Sequence, residues 1–536
     1  MSEEKKFESL FLRVQNGNDV RGAAIATETE AKTISVSLVR YIARAFAMYL
    51  EKTTGLPRPF IKVGVGHDSR VTAEQMKEAC LYGLSTVRSF DCGLITTPAM
   101  FQSTVLPDSD FDGAIMLTAS HLPFNRNGMK FFTKQGAIAK TDLKEILAIA
   151  TGLAEQYGEE DEDELVSAAA LPKGRISTKV FDMRGVYCRH MQDLIKAEVQ
   201  AEDHDHPLAG LHIVEDAGNG AAGFFATEIL EPLGADISGS VFLEPDGTFP
   251  NHVPNPEDKA AMEAAREATL LAGADLGVVF DCDGDRGAVV FSDGTEVNRN
   301  TLIAVLACIV AEKAPGSTVV TDSVTSDELA EFLTENLGLK HLRFKRGYKN
   351  VIDKGVELNA AGETCELAIE TSGHGAFKEN HFSDDGAYIA LKIICRMAVL
   401  MKEGKKIESL IADLKTPAES VEMRLGILPE DFKTAGAALL EDFRAFCEAD
   451  SRFHIVEPNY EGIRAAFDDE EVKGWMLMRM SLHDPVIPIN LEAEKKGGTD
   501  IIKERIRPFL EAHADTVSFE LKKPKKTTRK KAKKEE

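Results

Sequence analysis

The sequence lacks the features that mark secreted, zinc-binding or membrane-spanning proteins. Its eight cysteines are scattered and form no C-x-x-C pair, which argues against a zinc ribbon and a disulfide scaffold. The N-terminus, MSEEKKFESL, has no apolar segment of the kind found in signal peptides. The longest apolar run, residues 302–311, is too short to span a bilayer and predicts a buried helix. We therefore expect a cytoplasmic protein with no membrane partner.

Positive charge is scarce outside the C-terminus. The formal net charge is −24 at pH 7, which favours solubility and disfavours general binding to nucleic acid. Residues 522–536 are the exception, with nine Lys or Arg against two Glu. A block of this kind is typical of a disordered basic tail, and this one has no aromatic side chain to stack on a base. Only this tail is a candidate contact for RNA or a membrane.

The pattern of elements predicts three similar α/β domains followed by a smaller α+β domain. A chain of 536 residues is too long for one core. Strand–loop–helix–strand units, the signature of parallel α/β structure, repeat three times before residue 417. Helical stretches then alternate with antiparallel-looking strands. We place the domains and the tail at 1–187, 188–300, 301–416, 417–521 and 522–536.

The stretch from Asp112 to Phe132, DGAIMLTASHLPFNRNGMKFF, predicts a buried strand followed by a polar loop. That loop presents Ser120 beside His121 and turns at Asn125–Gly128. A hydroxyl at the end of a strand, on a sharply turning loop, is well placed to meet a ligand. Taken alone, the stretch also suits an ordinary connection with a solvated serine.

A second polar loop concentrates carboxylates. The apolar strand Leu276–Phe280 is followed directly by the sequence DCDGDR, residues 281–286. Three like charges at a strand end are costly unless a cation neutralises them, and oxygen ligands favour Mg²⁺ or Ca²⁺. An EF-hand is excluded, because its sixth and twelfth positions would be Arg286 and Ser292. An exposed acidic turn is the alternative to a metal site. Mg²⁺ leaves positions for phosphate oxygens, which implies an anionic partner.

The third unit ends on the turn ETSGH, residues 370–374, where a carboxylate and an imidazole could grip sugar hydroxyls or transfer a proton. Cations recur in or beside all these loops, and Arg is able to bind phosphate bidentately. These cations suit a phosphorylated ligand: Arg21, Arg70, Lys130, Arg286, Lys349 and Arg479.

Four motifs in this order, TASHLPFNRNGMK, FDCDGDR, ETSGH and RMSLHDP, resemble the α-D-phosphohexomutase superfamily, in its phosphomannomutase/phosphoglucomutase branch. The resemblance extends to about Lys522. The segments NDVRG, VGHDSR, TTPAM, DAGNG and PDGTFPNHVPNPE support it. It implies mixed sheets sandwiched by helices, with the domains arranged around a central cleft.

The resemblance also implies roles for individual residues. Ser120 would carry a phosphoryl group and, through a phosphoserine oxygen, join Asp281, Asp283 and Asp285 as a Mg²⁺ ligand. Arg286 would lie beside the phosphoserine. The remaining catalytic residues would be basic groups that assist proton transfer: Arg21, His121 and Lys130. The substrate-binding residues would be Glu370, Ser372 and His374 for sugar hydroxyls, Lys349, and Arg479 and Ser481 for the non-reacting phosphate.

The implied activity is the interconversion of hexose 1-phosphate and hexose 6-phosphate, for glucose or mannose. Phosphoserine would donate to the free hydroxyl, and a bound hexose 1,6-bisphosphate, the intermediate and activator, would turn and return the other phosphoryl group. The partner would be a small phosphosugar, and the enzyme a monomer or homodimer.

The sequence departs from the family pattern at Leu122, where Asn is common, and at Leu482 and His483, where Gly and Thr are common. The first change removes a polar side chain beside Ser120. The other two lie in the phosphate-binding loop and therefore bear on substrate choice. A phosphoglucosamine mutase is one alternative, disfavoured because that branch typically has Gln where this chain has Thr371. A catalytically silent phosphosugar-binding protein is the other, disfavoured by the intact serine and metal loops.

Overall fold

The computed structural model describes residues 9–157, 177–481 and 484–518. The chain forms two compact units, of which the first ends at Lys415 and the second begins at Thr416. The first unit contains three β-sheets and the second contains one. The basic tail, residues 522–536, lies outside the described residues, and the domain limits stay a prediction.

The first sheet is mixed and has eight strands. Strand β3 is parallel to β4 and β5, whereas β6 is antiparallel to β5. The parallel pairs require crossover connections, which helices supply. The strands are β1 Gln15–Asn16, β2 Asp19–Ala23, β3 Lys62–His67, β4 Arg88–Leu94, β5 Gly113–Leu117, β6 Arg126–Thr133, β7 Gly136–Ala137 and β8 Lys179–Val180.

The second and third sheets have four strands each and share one arrangement. In each sheet a central strand has one parallel neighbour and one antiparallel neighbour. Strand β10 is parallel to β9 and antiparallel to β11, and strand β15 is parallel to β13 and antiparallel to β16. The strands are β9 Ile213–Asp216, β10 Leu276–Phe280, β11 Gly287–Phe291 and β12 Glu296–Val297, then β13 Thr318–Thr321, β14 Lys340–Arg343, β15 Cys365–Ile369 and β16 Gly375–Phe377.

The three polar loops therefore occupy the same topological position. Each joins a buried strand to its antiparallel partner: β5 to β6, β10 to β11 and β15 to β16. The sequence predicted parallel units with loops at strand ends, and the antiparallel return strand explains why each loop must turn so sharply.

Helices pack against these sheets and begin where the sequence supplies caps. The first begins after Ser35, whose hydroxyl accepts a hydrogen bond from the amide of Leu38, and ends at Gly55 in a left-handed conformation. The helices of the first unit are α1 Val36–Thr54, α2 Ala73–Gly83, α3 Thr97–Gln102, α4 Lys140–Tyr157, α5 Met183–Val199, α6 Lys259–Ala272, α7 Arg299–Lys313, α8 Asp327–Glu331, α9 Tyr348–Ala360 and α10 Gly386–Lys402.

The core explains why the first three sheets form one unit. A single apolar cluster runs from Cys92 to Ile407 and includes residues of all three sheets. The predicted buried helix lies within it as α7, in which every residue from Leu302 to Val310 is buried. Burial on all sides requires partners on all sides, and this helix packs against helix α10, strand β15 and the short helical turn Ile407–Ile411.

The second unit is an α+β domain, as predicted. Its sheet has six strands in the order β18-β19-β20-β21-β17-β22, all antiparallel. Two helices pack on it through Phe443 and Phe509, whose rings are 5.0 Å apart. The elements are β17 Glu419–Ile427, α11 Phe432–Glu448, β18 His454–Ile455, β19 Ile463–Asp468, β20 Lys473–Met478, β21 Val486–Ala493, α12 Gly498–Ala512 and β22 Val517–Ser518.

All eight cysteines are buried and none is joined to another. Across the described ranges, no helix combines the length and the apolar character that crossing a bilayer requires.

Candidate active site

Ser120 lies in a left-handed turn, with φ 51°, just after strand β5. Its amide donates a hydrogen bond to the hydroxyl of Thr118 at 2.8 Å. Its Oγ donates to Oδ2 of Asp281 and accepts from Nη2 of Arg286, both at 3.0 Å. A strained backbone at a functional site is typical of a side chain held in one orientation. The serine loop and the carboxylate loop, predicted on separate domains, therefore meet at one hydroxyl.

Arg70 holds the serine loop in this shape. Its guanidinium donates to the carbonyl oxygen of Ser120 and to those of Leu122 at 2.6 Å, Pro123 at 2.9 Å and Arg126 at 2.8 Å. One buried side chain thus donates to four carbonyl groups of the same loop, of which that of Pro123 also accepts a backbone hydrogen bond, from the amide of Arg126. The sequence placed Arg70 only among the loop cations, and its position in the VGHDSR segment was the available signal.

The three aspartates of the carboxylate loop fit a divalent cation. Asp281, Asp283 and Asp285 each offer an oxygen within 4.8 Å of the others, and all three are buried. Oδ1 of Asp283 and Oδ1 of Asp285 have no hydrogen-bond partner among the described residues. Buried carboxylate oxygens that lack a donor are suitable ligands for Mg²⁺. The loop closes at Gly284, where φ is +71° and an added Cβ would lie 2.7 Å from the Thr96 side chain.

Charge at this loop is unevenly compensated. Burial, and then the neighbouring Asp285 and Asp283, raise the pKa of Asp281 well above its usual range. Burial opposes ionisation of Asp285 too, but Lys130 and His374 outweigh it and hold the pKa of Asp285 well below its usual range. Of these two carboxylates, Asp281 therefore has the less compensated charge.

Lys130 and Arg21 are cations that bind the carboxylate loop and the serine loop, respectively. Nζ of Lys130 donates to Asp283 at 2.9 Å and also to Asp285. Burial would lower the pKa of Lys130, but the attraction of Asp283 and Asp285 raises it well above its usual value, so the lysine is charged. Arg21 donates to the carbonyl oxygen of Thr118, within the serine loop, and to Asp19 at 3.0 Å.

His121 and Arg286 flank the serine hydroxyl. Nδ1 of His121 lies 3.3 Å from Oγ of Ser120 and 2.6 Å from Nη2 of Arg286. Burial, and then the charge of Arg286, lower the pKa of His121 to about 3, which makes it a neutral acceptor. Arg286 also donates to Asn255 at 3.2 Å and to Nε2 of His374 at 3.3 Å. Arg286 thereby links the serine loop to the third loop.

The 370–374 loop is organised around a buried carboxylate. The Glu370 carboxylate accepts hydrogen bonds from the amide of Gly347 at 2.6 Å and from the Ser372 hydroxyl at 3.3 Å. The same hydroxyl lies 2.9 Å from Nδ1 of His374. Burial, and then Asp322, raise the pKa of Glu370 to about 7. Burial and the charge of Arg286 lower the pKa of His374. The Thr371 hydroxyl donates a hydrogen bond to Asp322 at 2.8 Å.

Three further residues complete the site and were missed as candidates. Thr97 donates to Asp283 at 2.5 Å, and its TTPAM segment was a supporting motif. The ring of Tyr348 stacks on His374 with centroids 5.2 Å apart. Asp384 lies 3.7 Å from Nε2 of His374, and nothing in the sequence distinguishes it from a surface carboxylate.

Of the predicted substrate residues, Lys349 has no described hydrogen bond or ion pair with this cluster. Lys349 pairs with Asp353 at 2.9 Å, one turn along helix α9. Arg479 and Ser481 belong to the second unit, where Arg479 lies 3.9 Å from Glu461 and Ser481 accepts from the amide of Asp484 at 3.3 Å. Leu482 and His483 lie outside the described residues, and the roles of this loop stay predictions.

The fold and the site together define a multi-sheet α/β protein in which a buried serine hydroxyl is hydrogen-bonded to a loop of three buried carboxylates. Models of phosphoglucomutase/phosphomannomutase α/β/α domains I, II and III match residues 13–157, 186–294 and 298–417. The chain belongs to the phosphoglucomutase/phosphomannomutase family, which confirms the resemblance to the α-D-phosphohexomutase superfamily.

Individual relatives agree over most of the chain. A phosphoglucomutase of Neisseria gonorrhoeae is 26% identical over 499 residues, which cover 92% of this chain and 96% of that protein. A phosphomannomutase/phosphoglucomutase of Pseudomonas syringae is 28% identical over 510 residues, covering 94% and 96%. The crystal structure of a phosphoglucomutase/phosphomannomutase family protein of Burkholderia thailandensis superimposes with a TM-score of 0.72 at 25% identity, covering 94% of this chain and 97% of that one.

Proposed function

We propose that this protein is a phosphohexomutase that interconverts the 1-phosphate and the 6-phosphate of glucose, mannose or both. The observation that carries the proposal is the position of the Ser120 hydroxyl, hydrogen-bonded at 3.0 Å both to Asp281 of the carboxylate loop and to Arg286. The names of the relatives, phosphoglucomutase and phosphomannomutase/phosphoglucomutase, agree with this activity.

In the first half-reaction, a phosphoryl group carried on Ser120 moves to the free hydroxyl of a bound hexose phosphate. The bond from phosphorus to Oγ breaks as the bond to the sugar oxygen forms. The sugar hydroxyl loses one proton and Ser120 gains one. Glu370, a buried carboxylate whose pKa of about 7 suits proton transfer near neutral pH, is the acceptor we assign, and Arg286 offsets charge on the departing Ser120 oxygen.

The product of that step is a hexose 1,6-bisphosphate, which stays bound and turns end over end. Its other phosphoryl group then moves to Ser120, whose proton is lost as the sugar hydroxyl regains one. Nδ1 of His121 lies 3.3 Å from the Oγ that loses this proton. The net change is the position of one phosphate on the sugar, and added bisphosphate would act as an activator by phosphorylating Ser120.

Asp281, Asp283 and Asp285 would hold Mg²⁺, with a phosphoserine oxygen as a further ligand. When bound, the ion would neutralise charge on the transferring phosphoryl oxygens. Lys130 donates hydrogen bonds to Asp283 and Asp285 and so offsets part of their negative charge. Glu370, Ser372 and Lys349 would bind the sugar, and Arg479 and Ser481 its non-reacting phosphate.

A coupled assay tests the proposal. Glucose 1-phosphate, mannose 1-phosphate and glucosamine 1-phosphate are each supplied with Mg²⁺ and a trace of hexose 1,6-bisphosphate, and phosphorylation of Ser120 is followed by mass spectrometry. We expect turnover of one or both of the first two. Turnover of glucosamine 1-phosphate alone would identify a phosphoglucosamine mutase. Turnover of none, with Ser120 phosphorylated, would favour the silent phosphosugar-binding protein.

We also propose a cytoplasmic location and a monomeric or homodimeric state. Eight buried thiols without a disulfide suit a reducing compartment. Light scattering of the full chain measures the assembly directly.

A further inference from the structure

Two arginines of the candidate active site contact one segment of the chain, residues 242–257, which precedes helix α6. The ring of Phe249 lies 5.3 Å from the guanidinium carbon of Arg70. Oδ1 of Asn255 accepts a hydrogen bond from Nη1 of Arg286 at 3.2 Å. The first arginine holds the serine loop and the second donates to the serine hydroxyl. The position of this segment therefore bears on both groups that fix the serine side chain.

The segment depends on anchors outside it. Phe242 and Phe249 have φ angles of 53° and 50°, in the left-handed region that is costly for bulky side chains. Asn219, on the turn after strand β9, supplies one anchor. Its amide donates to the carbonyl oxygen of Phe242 and its side chain donates to that of Glu244, both at 2.9 Å.

His252 is a second anchor, and both nitrogens of its ring face acceptors. Nε2 lies 3.1 and 3.0 Å from the two carboxylate oxygens of Asp216, the last residue of strand β9. Nδ1 lies 3.0 Å from the carbonyl oxygen of Val253. A neutral imidazole has one N–H and could donate to only one of these partners. The geometry therefore fits a doubly protonated, charged ring.

The surroundings of the ring favour that charge. The side chains of His252 and Asp216 are 2% and 0% exposed. The ring of Phe242 meets the imidazole edge-on, with centroids 5.5 Å apart, and Asp258, which caps helix α6, adds a second negative charge. Burial lowers the pKa of His252, but Asp216, and then the Val253 carbonyl group and Asp258, raise it above its ordinary value.

We propose that His252 is a positioning residue. Its charged ring clamps the 242–257 segment to strand β9, and the segment keeps the two arginines in place around Ser120. The inference rests on the proposed function, in which Ser120 carries the phosphoryl group. Because the pKa of the ring is raised on folding, the clamp is complete below the ordinary pKa of a histidine. It is lost as the pH rises through the pKa of the folded state.

A first experiment tests the charge of the clamp and needs no sugar. NMR of the full chain with isotope-labelled histidine follows each ring through a pH titration, and the signal missing in His252→Gln belongs to this residue. We expect a pKa above the ordinary value of about 6.5. Asp216→Asn, which keeps an acceptor for the amide of Gly218 but loses the charge, should lower that pKa. A pKa at or below the ordinary value, or no change in Asp216→Asn, would overturn the proposal.

Hydrogen exchange of the full chain tests the positioning, again without sugar. At a pH where the wild-type ring is charged, His252→Gln should speed amide exchange at least five-fold in residues 117–126 and 242–257, and leave strand β13 unchanged. His206→Gln is the matched control, because its ring pairs with Asp203 at 3.0 Å on the surface, and it should exchange as the wild type does. Faster exchange confined to residues 242–257 would overturn the proposal, since the serine loop would then hold its shape without the clamp.

Turnover separates this inference from the proposed function. In the coupled assay, His252→Gln should lower kcat at least ten-fold and change KM less than two-fold, because the clamp acts on Ser120 and not on the sugar. The wild-type kcat should fall as the pH rises through the pKa measured by NMR, and in Asp216→Asn that fall should begin at a lower pH. Asp216→Asn also serves where His252→Gln fails to fold. An unchanged kcat and pH profile in an active enzyme would overturn the inference. No turnover by the wild type, with the exchange result as expected, would overturn the proposed function alone.

Discussion

The guanidinium of Arg70 donates a hydrogen bond to the backbone carbonyl oxygen of Ser120. The arginine is 2% exposed and its Nε also pairs with the buried Asp68 at 3.2 Å. A side chain that never reaches the serine hydroxyl thus fixes the turn on which that hydroxyl depends.

Replacing Arg70 by lysine should damage both stability and turnover. Lysine has three donors on one nitrogen and cannot span four carbonyl groups. The carbonyls left without donors should lower the free energy of unfolding by about 3 kcal/mol. We expect kcat to fall at least ten-fold. Urea unfolding and the coupled assay measure the two effects.

The matched control is Arg88→Lys, an exposed arginine that donates to the carbonyl oxygen of Pro59. It should change stability by less than about 0.5 kcal/mol. Wild-type turnover in Arg70→Lys would mean that the turn holds without the guanidinium.

Replacing Lys130 by methionine should make stability depend on Mg²⁺. The variant leaves Asp283 and Asp285 buried without their cation, which costs about 3–5 kcal/mol. Mg²⁺ bound to the same carboxylates should recover part of that loss, because it supplies the missing charge. Thermal unfolding in EDTA and in Mg²⁺ provides the comparison.

Lys134→Met is the control, since Lys134 pairs at the surface with Asp110 and its side chain is 45% exposed. Its unfolding should respond to Mg²⁺ as the wild type does. An equal response in Lys130→Met would contradict the assignment of the metal loop.

The pKa of Glu370, raised to about 7 by burial and by Asp322, predicts a pH-dependent cost of folding. Below the ordinary pKa of a glutamate, the carboxyl is protonated in both states and costs nothing. As the pH rises toward 7, the unfolded chain ionises first, so stability falls and the full cost is present above 7. Glu370→Gln lacks this cost and should gain up to about 3 kcal/mol relative to the wild type between pH 4.5 and pH 7.5.

Urea unfolding of both proteins across that pH range measures the difference. Glu363→Gln, an exposed glutamate in the loop before strand β15, should track the wild type. A constant difference between wild type and Glu370→Gln would show that Glu370 titrates normally.

Ser120→Ala should abolish turnover while changing the free energy of unfolding by only about 1 kcal/mol, because it removes one hydroxyl from a polar loop. Ser109→Ala is a matched control: both serines are 6% exposed, and Ser109 donates to a backbone carbonyl away from the site. Activity in Ser120→Ala would identify a different nucleophile.

The local elements and the chemistry of each loop were determined by the sequence. The apolar run before Asp281 gave a strand with the predicted bounds, Leu276–Phe280, and the apolar run after Thr301 gave the buried helix α7. Both depend on neighbours along the chain, which is why they were predictable. The four-motif resemblance was sufficient to identify the family.

Only the tertiary structure decided which groups meet. Ser120 and Asp281, 161 residues apart, share a hydrogen bond because two sheets present their loops at one place. Arg70 was marked in the sequence only as one of several loop cations in a supporting motif, and Asp384 was not marked at all, because their contacts are with carbonyls and side chains that distant segments bring beside them. Such contacts depend on packing, and packing is a property of pairs of surfaces that no single stretch of sequence contains.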